Sequence, residues 1–222
     1  MNVMDAVRQR HSARAFKPDP VPGALLKELL DLASHSPSGG NLQPWHVYAL
    51  TGGPLAKFKA LIKSKLDAGE TETPEYDVYP PKLWEPLRTR RRVAAIMRNE
   101  AMKHPDKAQE QQHLIELNYS FFGSPVGLFF LLDRRVGPPQ WVDMGLFMQT
   151  FMLLCVERGL ATCAQEIWAN WPITVPQFLN APEHLMMFAG MSLGYEDTSQ
   201  PVNQFRTPRE PAEAFTVFRG FD

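Results

Sequence analysis

The chain has 222 residues, 44% of them apolar, and a formal net charge of -1. That is enough apolar material for one sizeable core, and the near-neutral balance gives no electrostatic case for nucleic acid as a partner. Two cysteines, Cys155 and Cys163, make no disulfide scaffold and fit a reducing cytoplasm; the N-terminus lacks a signal-type apolar segment, and the most apolar run, 126–132, is far too short to span a membrane.

In chain order, residues 3–10 read as a short helix, followed by R-H-S-A-R-A-F and by K-P-D-P-V-P, a turn or extended segment. Leucines at helical spacing in L-L-K-E-L-L-D-L-A-S predict an amphipathic helix over 25–34. The stretch S-P-S-G-G-N-L-Q-P (36–44) packs prolines, glycines and short polar side chains more densely than a plain loop needs, which points to backbone that hugs a ligand. W-H-V-Y-A-L then alternates as a strand, and 55–68 is a helix with lysines on its solvent side. Residues 69–86 are irregular, acidic and then rich in aromatics and proline. The basic run R-T-R-R-R (88–92) reads as the solvated face of an amphipathic helix reaching Met102.

After a K-H-P-D-K turn, 108–121 is a polar helix, and G-S-P-V-G-L-F-F-L-L-D holds a strand covered on both faces. Residues 141–158 form a long apolar helix closed by Gly159, placed in the core or at a subunit contact. L-A-T-C-A-Q-E-I and M-M-F-A-G-M-S-L-G are strands, P-V-N-Q-F-R-T-P-R-E-P is a loop, and A-F-T-V-F-R-G-F is a terminal strand free to pair with a neighbouring chain. Helices and strands mix without a βαβ rhythm, so the fold class is α+β.

Signals for phosphate loops, dinucleotide-binding turns, zinc proteases and C-x-x-C centres are absent, and the cysteines and histidines lack metal-ligand spacing, so no metal is expected. Ser36, Ser38 and His46 lack the G-x-S-x-G setting and a partner acid of a hydrolase. What remains is a set of anion-binding pieces. Arg10, Ser12 and Arg14 alternate after the first helix, and Arg206 and Arg209 sit near the end; guanidinium forks and hydroxyls suit a phosphate monoester.

R-H-S-A-R-A-F resembles the opening motif of the FMN-dependent nitroreductase family, and S-P-S-G-G-N-L-Q-P-W resembles its second motif at the expected distance. The likeness continues in order through F-F-G-S-P-V-G, D-M-G-L-F-M-Q, E-R-G-L-A-T-C-A-Q-E and R-T-P-R-E-P. It implies a mixed, mostly antiparallel sheet flanked by helices in one domain (1–222), a homodimer that exchanges segment 199–222, and a variable lid over 69–107. Arg10, His11, Ser12 and Arg14, with Arg206 and Arg209, are then expected to hold the phosphate and ribityl end of FMN. Pro37, Ser38, Gly39 and Asn41 line the flavin face or come from the other subunit, and Gln165 and Glu166 present backbone near flavin N5. Arg88 is the candidate cation for the flavin O2 side, because no residue of 69–92 matches the family's usual contact there. Tyr76, Tyr79, Trp84, Trp168 and Trp171 are candidates for an aromatic pocket that takes a small electron-poor acceptor.

The implied cycle is ping-pong, with NADH or NADPH as donor and nitroaromatics as acceptor, quinones and activated alkenes being possible substrates. Carried beside it are enone reduction, other flavin chemistry on the same fold (reductive dehalogenation or flavin fragmentation), and a non-redox flavin-binding protein.

Overall fold

The computed structural model describes residues 1–221. In them the chain forms α1 (Val3–Gln9), α2 (Gly23–Ala33), β1 (His46–Thr51), α3 (Gly52–Asp67), α4 (Leu87–Met102), α5 (Glu110–Tyr119), β2 (Val126–Asp133), α6 (Pro138–Glu157), β3 (Ala161–Gln165), α7 (Thr174–Phe178) and β4 (Leu185–Gly194). The four strands make one antiparallel sheet in the order β1-β2-β4-β3. Its parallel component is a single bridge between Ser12 and Thr162 at the β3 edge. The α+β class, with a mostly antiparallel sheet flanked by helices, is therefore what the chain adopts.

β2 and β4 are central, and their side chains alternate between two cores. Val126, Leu128, Phe130 and Leu132 face α2 and α6, where Leu29, Ala33, Met144, Phe147, Phe151 and Cys155 meet them. Phe129 and Leu131 face α3 and an aromatic cluster of Phe58, Phe121, Trp168 and Trp171. A bulge falls between the Phe130–Ala189 and Leu131–Met187 pairs, leaving Phe188 unpaired on β4. The Tyr76 hydroxyl donates to the Phe188 carbonyl, and the Tyr76 ring packs against Trp141 and Phe188.

Trp168 determines how the chain leaves β3. It sits in the 3-10 turn Glu166–Asn170 and stacks on Phe121, with ring centroids 4.6 Å apart and planes 24° from parallel. A Cβ on Gly190 would lie 2.2 Å from Trp168 Cδ1, so only glycine lets the indole lie on β4. The acidic part of the 69–86 segment is also tied down. Glu72 accepts the Ile173 and Thr174 N–H groups at the start of α7, and Glu75 pairs with Arg134 at 2.7 Å.

The structure corrects two readings and adds one element. The terminal stretch A-F-T-V-F-R-G-F is not a strand within the chain: a 3-10 turn at Ala212–Ala214 is followed by irregular backbone, with Phe215, Val217, Phe218 and Phe221 exposed. The β3 edge that it might have joined already holds Ser12 and the Ala13 N–H, which donates to the Thr162 carbonyl at 3.0 Å. The polar helix stops at Tyr119, because Phe121, Phe122 and Gly123 all adopt positive φ. The added element is α7, which carries a proline and only five residues and gave no periodic signal.

Gly190→Ala should cost about 1–3 kcal/mol of stability through overpacking against the indole. Gly53→Ala, whose Cβ meets nothing within 4 Å, should leave the melting temperature almost unchanged. Thermal unfolding of the two variants checks this.

Candidate active site

Where the N-terminal segment meets the β3 edge, the chain opens a cleft of about 1600 Å³. It is lined by 10–14, by the end of β3 and the turn after it, by α4 with 78–83, and by 205–209. Asn203 fastens two of these walls together. Its Oδ1 accepts the Arg14 N–H at 2.7 Å, while its Nδ2 donates to the Ala15 and Asp197 carbonyls at 2.8 and 2.9 Å.

Arg10, His11, Ser12, Arg14, Tyr79, Arg88, Gln165, Glu166, Arg206 and Arg209 all line this cleft, so the two ends of the sequence do converge. Nine arginines reach it, and Glu166 is the one carboxylate among the lining residues described. Burial and then the neighbouring Arg209 lower the Arg10 pKa, and burial and then Arg14 lower that of Arg98. Partial desolvation raises the pKa of the Glu166 carboxyl, although the residue is exposed on the cleft. His11 is held on both ring nitrogens, Nδ1 by the Gln9 carbonyl at 3.0 Å and Nε2 by Glu196 at 2.9 Å.

Gln165 turns its side chain away into the protein. Its Nε2 donates to the Asn118 carbonyl and side-chain oxygens at 2.6 and 2.7 Å, and its Oε1 accepts from the Ser192 hydroxyl at 2.8 Å. The backbone at the end of β3 is thereby left as the surface presented to a ligand.

Other candidates lie elsewhere. Trp168 and Trp171 are 0% and 3% exposed and belong to the aromatic core, where burial of their large rings outweighs any role in a pocket. Tyr76 packs on the α6 side of the sheet, and Trp84 projects into solvent outside the cleft. Arg88 lines the cleft but its Nε is already paired with Glu85 at 2.8 Å.

Pro37, Ser38, Gly39 and Asn41 are not part of the cleft of their own chain. Their loop is built on α6. The Gly39 N–H donates to both oxygens of the buried Asp143, at 3.3 and 3.2 Å, and the Gln43 N–H donates to Ser38 Oγ at 3.0 Å. Trp45 stacks on Phe147 with centroids 4.8 Å apart. Gly40, Asn41 and Gln43 all have positive φ, so the glycine and asparagine supply conformation as well as small size.

Sequence reasoning missed the rest of the α4 face. The run 88–92 is exposed throughout, as a solvated face should be, but Arg88, Arg91 and Arg92 also line the cleft together with Arg98, while Arg90 pairs with Glu210 at 3.0 Å. The signal was the spacing, since 88, 91, 95 and 98 share one helical stripe.

The sequence profile of the Nitroreductase family matches residues 7–195. A 4-nitrobenzoate reductase of Pseudomonas putida is 36% identical over 218 residues, covering 97% of this chain and 95% of that protein. A chloronitrobenzene nitroreductase of Comamonas testosteroni is 36% identical over 217 residues, covering 96% and 95%. Among solved structures, an FMN and NADPH-dependent nitroreductase of Sphigopyxis sp. strain HMH superimposes with a TM-score of 0.94 at 36% identity, over 100% of both chains.

Asp143→Ala removes the acceptor of the Gly39 N–H and should destabilise the protein by about 1–3 kcal/mol, with Asp143→Asn closer to the parent. Denaturant unfolding of the two variants measures the difference.

Proposed function

The chain belongs to the nitroreductase family, and from that premise we propose that it is an FMN-dependent oxidoreductase that draws electrons from NADPH or NADH and reduces nitroaromatic compounds. The observation that carries this reading is the crowding of arginines in a cleft with one carboxylate. Arg10, Arg14, Arg206 and Arg209 have no acidic partner within 4.0 Å among the described residues. Such a cluster is stable when an anion completes it.

FMN fits this donor set. Arg10, Ser12, Arg14, Arg206 and Arg209 would hold its phosphate and ribityl oxygens, His11 being already engaged by Glu196 and Gln9. The backbone of Gln165 and Glu166 would carry its ring edge. The cleft exceeds the roughly 300–1000 Å³ of a single small-molecule site, leaving room for a second planar ligand beside the cofactor. When bound, FMN would supply the redox chemistry between the nicotinamide donor and the acceptor. The protein's part is to fix the phosphate, to present the backbone of β3 and to shape the space where donor and acceptor alternate.

The working form we propose is a cytoplasmic homodimer of single-domain chains. Its second copy supplies the loop with Pro37, Ser38, Gly39 and Asn41, and segment 199–222 is exchanged. Exposed apolar side chains support it: Val3, Met4 and Val7 on α1, Leu42 in the loop, Val142 and Leu146 on α6, and Phe215, Val217 and Phe218 near the end. Segment 69–107 acts as a lid wall, anchored by Glu72, Glu75 and Tyr76 and reaching the cleft through Tyr79 and α4. Among the described residues no helix is long and apolar enough to cross a membrane.

The purified protein should show the two visible flavin bands and release one FMN per chain on heating. Anaerobic reduction by NADPH or NADH should be followed by faster reoxidation with nitrobenzene than with an enone. A colourless protein that takes up no FMN would sink the reading. Arg209→Gln should weaken FMN binding about tenfold or more, read by fluorescence titration of the apoprotein.

A further inference from the structure

The arginines of the cleft exceed what one phosphate needs, and they stand on two walls that approach each other where Arg98 lies near Arg14. The first carries Arg10 and Arg209, where burial and then the neighbouring Arg209 lower the hold of Arg10 on its proton. The other is on α4, where Arg91, Arg92 and Arg98 face the cleft over two turns of helix. None of these three has a carboxylate within 4.0 Å among the described residues, whereas the outward Arg90 and the rim Arg88 are both paired. Arg98 is half-buried, with Nε and Nη2 on the neutral Asn99 Oδ1 at 3.1 and 2.8 Å. Arg91 lies over the Tyr79 ring, 4.4 Å from its centroid, and Tyr79 also lines the cleft.

A merely solvated helix face does not account for this pattern. The α4 arginines that look outward or to the rim have found acids, while those that look inward have none and include the one that is withdrawn from water. Like charges gathered in a low-dielectric cleft raise the local concentration of anions, and the flat guanidinium on an aromatic ring is ready to take a planar oxyanion in a fork.

We propose that Arg91, Arg92 and Arg98, with Tyr79, form a second oxyanion subsite in the cleft, distinct from the flavin phosphate site, which takes an anionic substituent of the ligand that reacts with the flavin. The proposal rests on the oxidoreductase reading of the same cleft. One chemistry, a carboxylate or phosphate oxyanion on a ligand bound beside the flavin, has two sources: a carboxylate on the aromatic acceptor, or the ribose 2′-phosphate of the nicotinamide donor.

The test is calorimetric titration of the FMN-loaded protein with two unreactive probes, benzoate and adenosine 2′-monophosphate. The parent is compared with Arg91→Gln/Arg92→Gln, with Arg98→Lys and, as a control outside the cleft, with Arg90→Gln. The probe that mimics the true ligand should bind the parent and bind the double glutamine variant about tenfold or more weakly. Arg98→Lys should fall in between, and Arg90→Gln should match the parent. Benzoate responding assigns the subsite to the acceptor, and the adenosine phosphate responding assigns it to the donor. If neither probe's affinity moves, or if FMN affinity falls by the same factor, the second subsite is overturned. The titrations need no turnover, so a protein that binds FMN and the probe yet reduces no nitroarene would count against the proposed function and not against the subsite.

Discussion

The seating of Trp168 on Gly190 is the contact on which the cleft depends. β3 is an edge strand, and the chain beyond it has no sheet to follow. The indole is buried among Phe58, Phe121 and Phe129 on one side and the bare backbone of β4 on the other. Truncating a buried tryptophan costs about 3–5 kcal/mol, and that scale of energy is what holds the turn Glu166–Asn170 against the sheet. With the turn fixed, Gln165 must point inward, where Asn118 and Ser192 satisfy its amide. Glu166 and the backbone of β3 are then what the cleft sees. A hydrophobic contact on one face of the sheet thereby decides which polar groups stand at the site.

Three arginines on the cleft, Arg14, Arg206 and Arg209, donate to neutral oxygens and have no carboxylate within 4.0 Å among the described residues. Arg14 Nη1 donates to the Ser12 carbonyl at 3.2 Å, Arg206 Nη1 to the Asn203 carbonyl at 2.7 Å, and Arg209 Nη1 to Thr207 Oγ1 at 2.6 Å. Each of these partners lies within three residues, so the side chains are positioned by their own segments. Carboxylates instead pair with arginines at the rim and outside, as Glu85 and Glu210 do. A neutral hydrogen-bond partner holds the guanidinium still while leaving its field intact, which is the arrangement a preorganised anion site requires.

Much of the fold was legible because it is local. The leucine spacing of α2, the alternation of β1 and the continuous apolar runs of β2 and β4 each fix an element within a dozen residues. The paired motifs at the two ends also indicated that Arg10, Ser12, Arg14, Arg206 and Arg209 belong together. What failed was decided by partners distant in the chain. The alternation in A-F-T-V-F-R-G-F is that of a strand, but within the chain it joins neither edge of the sheet. Trp168 and Trp171 look the same in the sequence whether they line a pocket or fill a core, and the glycine that settles the matter for Trp168 lies on another strand. The F-F-G turn before β2 places two phenylalanines at positive φ. That conformation is held by burial and by the Ser192 hydroxyl, which donates to the Phe121 carbonyl at 2.9 Å.

The loop 36–44 holds three residues at positive φ and yet stands apart from its own cleft. α6 shows why. Asp143, which holds the loop, and Gln149, which lines the cleft, both lie on it. Six residues of helix separate them by about 9 Å in rise and about 120° in direction, so the helix turns one face to each. A lone buried aspartate in an otherwise apolar helix needs a compensating donor, and the Gly39 N–H is that donor. The left-handed residues at 40, 41 and 43 are thus held by α6 and Ser38, with no help from the cleft-lining arginines. In the dimer we propose, this loop meets the cleft of the second chain. The left-handed turn is then located where two rigid surfaces approach and bulky side chains would keep them apart.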